Sequence, residues 1–412
     1  MSRFLYLTQY FPPEVGAAQT RLDSITSLLA RRGHHVDVVT AMPSYPGSEI
    51  LEGYGGRWFM REELDGRAVV RTRALPAMGT GRKRLLSYAV FTASSFVGLV
   101  RSKRPDILVV ESPPLTLAIP AIVWARLRRV PLVFNIADLW PDAAVEVGAL
   151  REGALLRVLY ALERWTYRSA RLVSTVTDGV AARLLSEKHL DSNKLVMLPN
   201  GVDVELFSPE RGDRATADRV GIPRGPFFVY AGTVGLVHGV GPLIDAFLQL
   251  ANEPGSPSLV ILGAGSERDR LERLAKDSEG HKIKFIDPVP PHVLAEILPL
   301  AEAAVVTLAD LAINASSRPA KMFPAMASGV PVLFAGVGEG ADEVVTSGGG
   351  VVVSNQPTSI ADAVRGLMKD PEGAREMGRA GREHVLQRWT WDRLLDTWLE
   401  RVDQLVIQDR RL

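Results

Sequence analysis

The chain has 412 residues, enough for two domains of ordinary size, and its 46% apolar and 23% charged composition is that of a globular protein. A formal net charge of +1 gives the molecule as a whole no affinity for a polyanion, and the absence of cysteine excludes disulfides, zinc–thiolate sites and thiol nucleophiles. The seven histidines are scattered without metal-ligand spacing. The first residues enter a strand directly, without a signal peptide's long apolar region. The apolar runs 88–100 and 115–123 fall short of the roughly 18–20 residues that span a bilayer. A cytosolic protein is expected, with any membrane contact peripheral.

The run 4–9, aromatic and branched, predicts a first buried strand. Pro12, Pro13 and Gly16 mark a loop, a helix follows from about Thr20 to Arg32, Gly33 ends it, and 35–40 is a second strand. Strand, glycine-bearing loop, helix and strand open a doubly wound sheet, which binds ligands beyond the carboxyl ends of its strands. Residues 43–80, with two short β-like runs, read as a loop-rich insertion facing a cleft. Residues 81–104 predict a helix with basic ends and an apolar middle. It is either a core helix with solvated ends or one whose Arg82, Lys83, Arg84 and apolar face rest on an anionic membrane. Strand 106–111, helix 115–129 and strand 132–136 continue the alternation. Asp138 follows at that strand's carboxyl end, either as a carboxylate that takes a hydroxyl proton or binds a sugar hydroxyl, or as the N-cap of the next helix. Helix 154–169 carries Leu, Tyr and Trp at core spacing. Strand 171–176, a helix to about His189 and strand 194–198 finish the first half.

Residues 198–204 break the periodicity and form a hinge candidate. Strand 227–231 then leads into a loop with four glycines, Gly232, Gly235, Gly239 and Gly241, which let the backbone approach a ligand closely; the spacing is neither Rossmann nor P-loop. His238 in this loop, if protonated, offers a charge-assisted hydrogen bond to a phosphate, and is otherwise a plain loop histidine. Strand 259–262 with Gly263 and Gly265, a helix to about 276, strands 283–286 and 304–308, and the segment 287–291 complete the approach to residues 313–332. There Asn314, Ser316 and Ser317 precede Arg318, Pro319, Lys321, Met322 and Phe323. Pro319 suits the first turn of a helix from about 319 to 328, Gly329 suits its left-handed end, and 331–335 is a buried strand. A helix N-terminus facing hydroxyls, with Arg318 and Lys321 beside it, suits a phosphate; a surface turn with incidental charge is the alternative. Glu339, in glycine-rich 336–341, reaches a sugar or caps a helix. Helices 359–368 and 372–388 follow, and a last helix runs from Trp389 to about 408.

The run Pro319-Ala320-Lys321-Met322-Phe323-Pro324-Ala325-Met326-Ala327-Ser328-Gly329-Val330-Pro331-Val332 resembles the donor-site segment of the family-4 retaining glycosyltransferases, which have the GT-B fold. Within them it is most similar to the bacterial fucosamine- and fucosyl-transferases of surface-polysaccharide assembly. Pro199-Asn200-Gly201-Val202-Asp203, the Asp138-x-Trp140-Pro141 tip, and Glu14, Gly16 and Arg21 at the acceptor-side positions carry the same resemblance, which covers nearly the whole length. It implies an α/β chain of two doubly wound Rossmann-like domains facing across a cleft. Residues 1–200 form the acceptor side, 201–388 the nucleotide-sugar side, and a helix of about 389–412 crosses back, with Trp389 and Trp391 packed at the crossing. Arg21 is alternatively an ordinary exposed helix arginine. The resemblance further implies that Gly232, Thr233, Gly235, His238 and Gly239 lie under the donor diphosphate and that Val289 meets the base. Gly263, Gly265, Ser316, Ser317, Met322, Phe323 and Glu339 then complete the donor site. The sequence departs from the family at its two acidic positions, which fall on Ser316 and Pro324, and Thr233 and His238 stand where a basic pair is usual.

The activity so implied is transfer of a sugar from a nucleotide-diphosphate sugar to a hydroxyl, with retention. Arg318, Lys321 and loop amides stabilise the departing diphosphate, and neither a metal nor a cofactor takes part. The expected acceptor is a polyprenyl-pyrophosphate-linked saccharide at the inner face of the cytoplasmic membrane. A soluble small molecule with a hydroxyl or thiol, as in secondary metabolism, and a non-catalytic subunit that binds a sugar nucleotide are the alternatives, and nucleic acid is not a partner.

Overall fold

The computed structural model describes residues 1–44, 49–76, 82–146, 148, 150–276 and 282–409, the backbone alone at 82–85, 408 and 409. The chain falls into two compact units, Met1–Pro199 with Trp391–Leu412, and Asn200–Thr390.

Unit 1 is built on the strands β1 (Arg3–Leu7), β2 (His35–Ala41), β3 (Phe59–Leu64), β4 (Arg67–Thr72), β5 (Ile107–Ser112), β6 (Leu132–Ile136), β7 (Leu172–Thr175) and β8 (Leu195–Met197). They form one sheet in the order β3-β4-β2-β1-β5-β6-β7-β8, parallel except for β3. The central strands are buried and mostly apolar along their length because helices cover both faces, which is why they lack the alternation of a half-exposed strand; the buried exceptions Glu111 and Asn135 bond each other at 2.6 Å. Residues 59–72 differ from the loop-rich insertion expected there. β4 pairs with β2, and β3 closes the edge as an antiparallel hairpin strand carrying Arg61, Glu62 and Glu63. Two arginines of β4 are buried and paired, Arg67 with Asp23 at 2.7 Å and Arg71 with Glu62 at 2.5 Å, which ties the hairpin to the domain. Residues 45–48 and 77–81 of that expectation, and the side chains of Arg82, Lys83 and Arg84, lie outside the described residues.

One face of this sheet is covered by helices Arg82–Arg101, Ala118–Arg128 and Ala154–Ser169. The other is covered by the first helix, Ala17–Arg31, together with the last, Trp391–Asp409. The chain leaves unit 1 at Pro199 and its final helix rejoins that unit's core. Trp398 is fully buried with its ring centroid 6.2 Å from that of Phe4, and Arg32 pairs with Asp392 and Asp396 of the same helix. Only one of the two tryptophans expected at the crossing joins this packing. Trp391 lies in the unit 1 core, whereas Trp389 belongs to unit 2, its ring 5.0 Å from Phe323.

Unit 2 contains β9 (Phe227–Ala231), β10 (Ser258–Leu262), β11 (Ile283–Ile286), β12 (Ala303–Thr307), β13 (Val332–Ala335) and β14 (Gly350–Val353). They form an all-parallel sheet in the order β11-β10-β9-β12-β13-β14. In each sheet the winding reverses beside one strand, β1 between β2 and β5, β9 between β10 and β12. The loops at the carboxyl ends of those strands are therefore the places the topology opens to a ligand.

Trp398→Ala removes the largest fully buried side chain that the last helix gives to unit 1. It is expected to cost unit 1 about 3–5 kcal/mol, read as a lowered urea midpoint of the full chain.

Candidate active site

In unit 2 the loop after β9 begins at Gly232. A Cβ on Gly263 would stand 2.0 Å from Gly232 O, and one on Gly265 2.2 Å from Val234 O. These two glycines are therefore required because the β10 loop lies directly on the β9 loop, where Val234 N–H donates to Ala264 O at 2.8 Å. Both were expected to help complete the donor site, and the contact the structure shows for them is with the β9 loop. Side-chain amides fix the rest of the loop. Asn314 Nδ2 donates to Val237 O (3.0 Å) and Ala309 O (2.7 Å), and Asn355 Nδ2 to Gly239 O (2.9 Å) and Leu308 O (3.0 Å). Thr307 Oγ1 donates to His238 O at 2.6 Å. Asn355 and Thr307 carry no motif, and their part is visible only once three strand ends converge.

Lys321 crosses to this loop. Its Nζ donates to Tyr230 Oη at 2.6 Å and lies 4.0 Å from that ring's centroid, and Tyr230 Oη in turn donates to Thr233 O at 2.6 Å. Gly232 has φ +153°, and a Cβ there would stand 2.9 Å from Lys321 Cε, so a side chain at 232 would displace the lysine. That phenol is the one polar contact of the ammonium among the described residues. Val229, Ala231, Leu294, Leu298, Ala304, Val305 and Pro324 line a void of about 30 Å³ beside it. Desolvation in these surroundings pushes the Lys321 ammonium down to about 7. His238 is pushed down to about 3, by burial first and by the Lys321 charge second, so its imidazole is neutral at pH 7, and its buried Nδ1 has no hydrogen-bond partner among the described residues. The charge-assisted hydrogen bond expected of His238 is thus unavailable to the imidazole in these surroundings. Thr233 is exposed and Gly235 half-buried at the same loop, while Gly239, at φ +59°, packs on Asn355 and Ala309.

The helix expected from 319 is shorter, Met322–Ala327. A turn precedes it, in which the amides of Met322 and Phe323 donate to Pro319 O and Ala320 O, both at 3.3 Å. The first free N–H groups of a helix are thus already used, and Met322 and Phe323 are fully buried core residues. Arg318 also differs from expectation. Its guanidinium meets Glu339 at 2.9 Å and Glu343 at 3.8 Å and stacks 4.6 Å from the Trp389 centroid. Glu343 further accepts from Trp389 Nε1 at 2.7 Å and contacts His384 Nε2 at 2.5 Å. Two carboxylates outweigh one guanidinium, so Arg318 carries no surplus charge for a phosphate. It fastens the 317–321 turn to helix Glu339–Ser347, as does Gly340 N–H donating to Ser317 O at 3.0 Å. Glu339 is thus tied to Arg318 rather than capping its helix. Ser316 and Ser317 are half-buried in this turn, and Val289 is half-buried in the loop after β11.

In unit 1, Glu14 is buried and accepts from Ser44 N (2.8 Å) and Phe11 N (3.3 Å), a staple across the loop after β1. Gly16 is extended, φ 176°, at the start of helix Ala17–Arg31. Arg21 is buried rather than exposed; it donates to Leu198 O (2.9 Å) and Pro199 O (3.1 Å) and lies 5.7 Å from the Trp391 centroid. It ties the first helix to the point where the chain leaves the unit. Asp138 is exposed beyond β6. The next helix starts at Asp142, so Asp138 is not its cap. Asp142 itself is held by Tyr160 Oη (2.7 Å) and Lys188 Nζ (2.6 Å). Among the described residues no group of three or more His, Asp or Glu is placed to hold a metal, and no helix is long and apolar enough to cross a membrane.

Comparison with known proteins agrees with this architecture. Residues 16–201 match the Glycosyl transferase 4-like domain, and residues 215–384 the Glycosyl transferases group 1 domain. Sucrose-phosphate synthase from Thermosynechococcus elongatus superposes with a TM-score of 0.77 at 18% identity, covering 99% of this chain and 100% of that one. HepE of Anabaena, in complex with UDP and glucose, superposes with a TM-score of 0.71 at 17% identity over 98% and 100%. The two parallel-sheet units thus have the GT-B fold, and the chain is a glycosyltransferase. With its two domain matches it belongs among the family-4 glycosyltransferases. WcaI of Escherichia coli K12, by name a colanic acid biosynthesis glycosyl transferase, is 26% identical over 87% of this chain and 89% of its own. The GDP-mannose-dependent alpha-(1-6)-phosphatidylinositol monomannoside mannosyltransferase of Mycolicibacterium smegmatis is 29% identical over 94% of each.

Arg318→Met leaves Glu339 and Glu343 without their cation. The unit is expected to lose on the order of 2 kcal/mol, read as a drop in melting temperature.

Proposed function

We propose that the chain transfers a sugar from a nucleotide-diphosphate sugar to an acceptor hydroxyl with retention of configuration. We further propose that the acceptor is a polyprenyl-pyrophosphate-linked saccharide of surface-polysaccharide assembly. The carrying observation is Lys321: an ammonium held against the first glycine of the β9 loop, bonded to a phenol rather than a carboxylate. A diphosphate at this switch point supplies the missing counter-charge and draws the lysine back to its protonated form. As the sugar leaves, negative charge grows on the phosphate oxygen, and a cation already positioned and desolvated stabilises that charge most where it is greatest. His238 contributes as a neutral N–H donor, the 232–239 amides as further donors, and Arg318 as a positioning residue acting through the turn that carries Lys321. Asp138 serves the acceptor side by accepting the hydroxyl's proton. This chemistry draws its positive charge from Lys321, so no metal is required.

The names of similar proteins support the reading. HepE is described with UDP and glucose, WcaI by colanic acid biosynthesis, and the mycobacterial relative by a mannosyl transfer to a phosphatidylinositol mannoside. The fucosamine-like donor stays part of this proposal. A soluble small-molecule acceptor with an unusual donor is the second reading; it is favoured by the apolar wall at Pro324 and by Ser316, where the family carries carboxylates.

A thermal-shift panel of UDP, GDP, dTDP and ADP with their common sugars identifies the donor, since a ligand of the native state raises the melting temperature. The nucleotide that shifts it is expected to do nothing for Lys321→Ala. That variant should lose on the order of 2–4 kcal/mol of transition-state stabilisation in kcat/KM, and a loss below about tenfold sinks the phosphate assignment. The Lys321 pKa, lowered to about 7, gives a pH signature. Nucleotide affinity weakens as pH rises through that value, because the free lysine loses its proton, and calorimetry near pH 8 in buffers of different ionisation enthalpy shows proton uptake on binding. The slope and the uptake both vanish in Lys321→Ala. Turnover that withstands EDTA, with product extracted into organic solvent from a polyprenyl acceptor, completes the test; product only from soluble acceptors selects the second reading.

A further inference from the structure

We infer that the outer face of three unit 1 helices, Arg82–Arg101, Ala118–Arg128 and Ala154–Ser169, is a docking surface for an anionic lipid bilayer. Their inner sides enter one core cluster under the sheet. They lie side by side: Thr92 Oγ1 donates at 2.8 Å to Thr116 Oγ1 in the turn that leads into the second helix, and Arg126 donates to Ser169 Oγ at 3.0 Å and covers the Trp165 ring at the second seam. Their outer sides are apolar where a soluble helix is ordinarily charged. Val97, Val100, Val123, Leu127, Leu155 and Val158 are all exposed, Leu127 to 73% and Val158 to 63%. Along the first helix the described exposed residues ahead of Arg101 are Leu86, Ala89, Ala93, Val97 and Val100, without one charge. Single exposed apolar residues are ordinary, whereas a contiguous set spread over three adjoining helices marks a contact surface.

Charge identifies the occupant. In a chain whose acids and bases nearly balance, these three helices contain one acidic residue, Glu163, and it is buried and paired with Lys188 at 3.1 Å. Among the described side chains, the exposed charges on them are Arg101, Arg126, Arg128, Arg157, Arg164 and Arg168. Glu152, in the loop ahead of the third helix, is the nearest exposed acid in sequence. Arginine lays its stem along an apolar surface and sends its guanidinium to phosphate, so apolar residues interleaved with arginines match the headgroup boundary of a bilayer carrying anionic lipid. A second copy of the chain fits poorly, because a symmetric contact through this face would set arginine against arginine. The inference does not depend on the acceptor being lipid-linked; it concerns where the enzyme rests, not what it modifies.

The test is co-sedimentation of the full chain with vesicles of phosphatidylcholine containing about 30% phosphatidylglycerol, against phosphatidylcholine alone. The chain is expected to bind the anionic vesicles and not the neutral ones. The pair Val100→Glu with Leu127→Glu, and separately Arg128→Glu with Arg164→Glu, should each lower the partition coefficient by at least about tenfold. Val345→Glu, on an exposed residue of unit 2, should leave it unchanged. All five substituted residues are exposed, so unchanged melting temperatures confirm that the fold survives. No binding of the wild-type chain to either vesicle overturns the inference, as does equal binding by both double variants. A dimer in sedimentation equilibrium that Val100→Glu with Leu127→Glu dissociates, without vesicle binding, also overturns it and assigns the face to self-association.

Discussion

Unit 2 is organised around a cation without a carboxylate. Lys321 reaches from the turn ahead of a short helix to the carboxyl end of β9, where it meets a tyrosine hydroxyl, a tyrosine ring and the backbone of Gly232. Bringing an ammonium there costs solvation that the phenol and the ring only partly return. The same charge helps keep His238 neutral. The residues around it are correspondingly constrained: glycine at 232 because the lysine stem lies against it, and proline at 324 among the apolar lining of the void alongside. Under the proposed function, a diphosphate bound here relieves the unfavourable charge, and as charge builds on a leaving group the same cation contributes to rate.

Arg318 stands three residues away and has the opposite fate. Glu339, Glu343 and Trp389 surround it, and its contribution is to hold the turn that aims Lys321. Two basic residues in one motif thus divide the work, one neutralised and rigid, the other uncompensated and available. The division follows from where carboxylates sit on a helix that begins some twenty residues downstream. Asn314 and Asn355 play the corresponding part for the β9 loop, their side-chain amides fixing the carbonyls of Val237 and Gly239.

Unit 1 shows the same economy. Glu14 and Arg21, at positions that resemble an acceptor site, are spent on loop amides and on the carbonyls of Leu198 and Pro199, and the last helix closes the sheet's second face with Trp391 and Trp398. The opposite face is covered by three helices whose outward residues are apolar and arginine-rich. One unit therefore presents a loop end fixed by internal bonds and a separate face with no partner in the described chain.

What the sequence determined by itself was the alternation of elements and the family. Buried parallel strands must be continuous apolar runs, glycine and proline must punctuate them, and those local requirements are legible without contacts. The run 319–332, the break in periodicity at 198–204 and the tip at Asp138 stand out in the sequence for the same reason, since each is a short run with its own backbone demands. The tertiary structure alone decided which charge is available. Nothing near Arg318 in sequence announces Glu339 and Glu343, nothing near Lys321 announces Tyr230, and Gly263 reads as a ligand glycine until the carbonyl of Gly232 is found against it. The outward face of unit 1 was half legible: helix 81–104 showed its apolar middle, while the union of three helices into one acid-free surface depends on which helices the sheet makes neighbours. Electrostatic availability is a property of partners distant in sequence, and only folding brings them within Coulomb range.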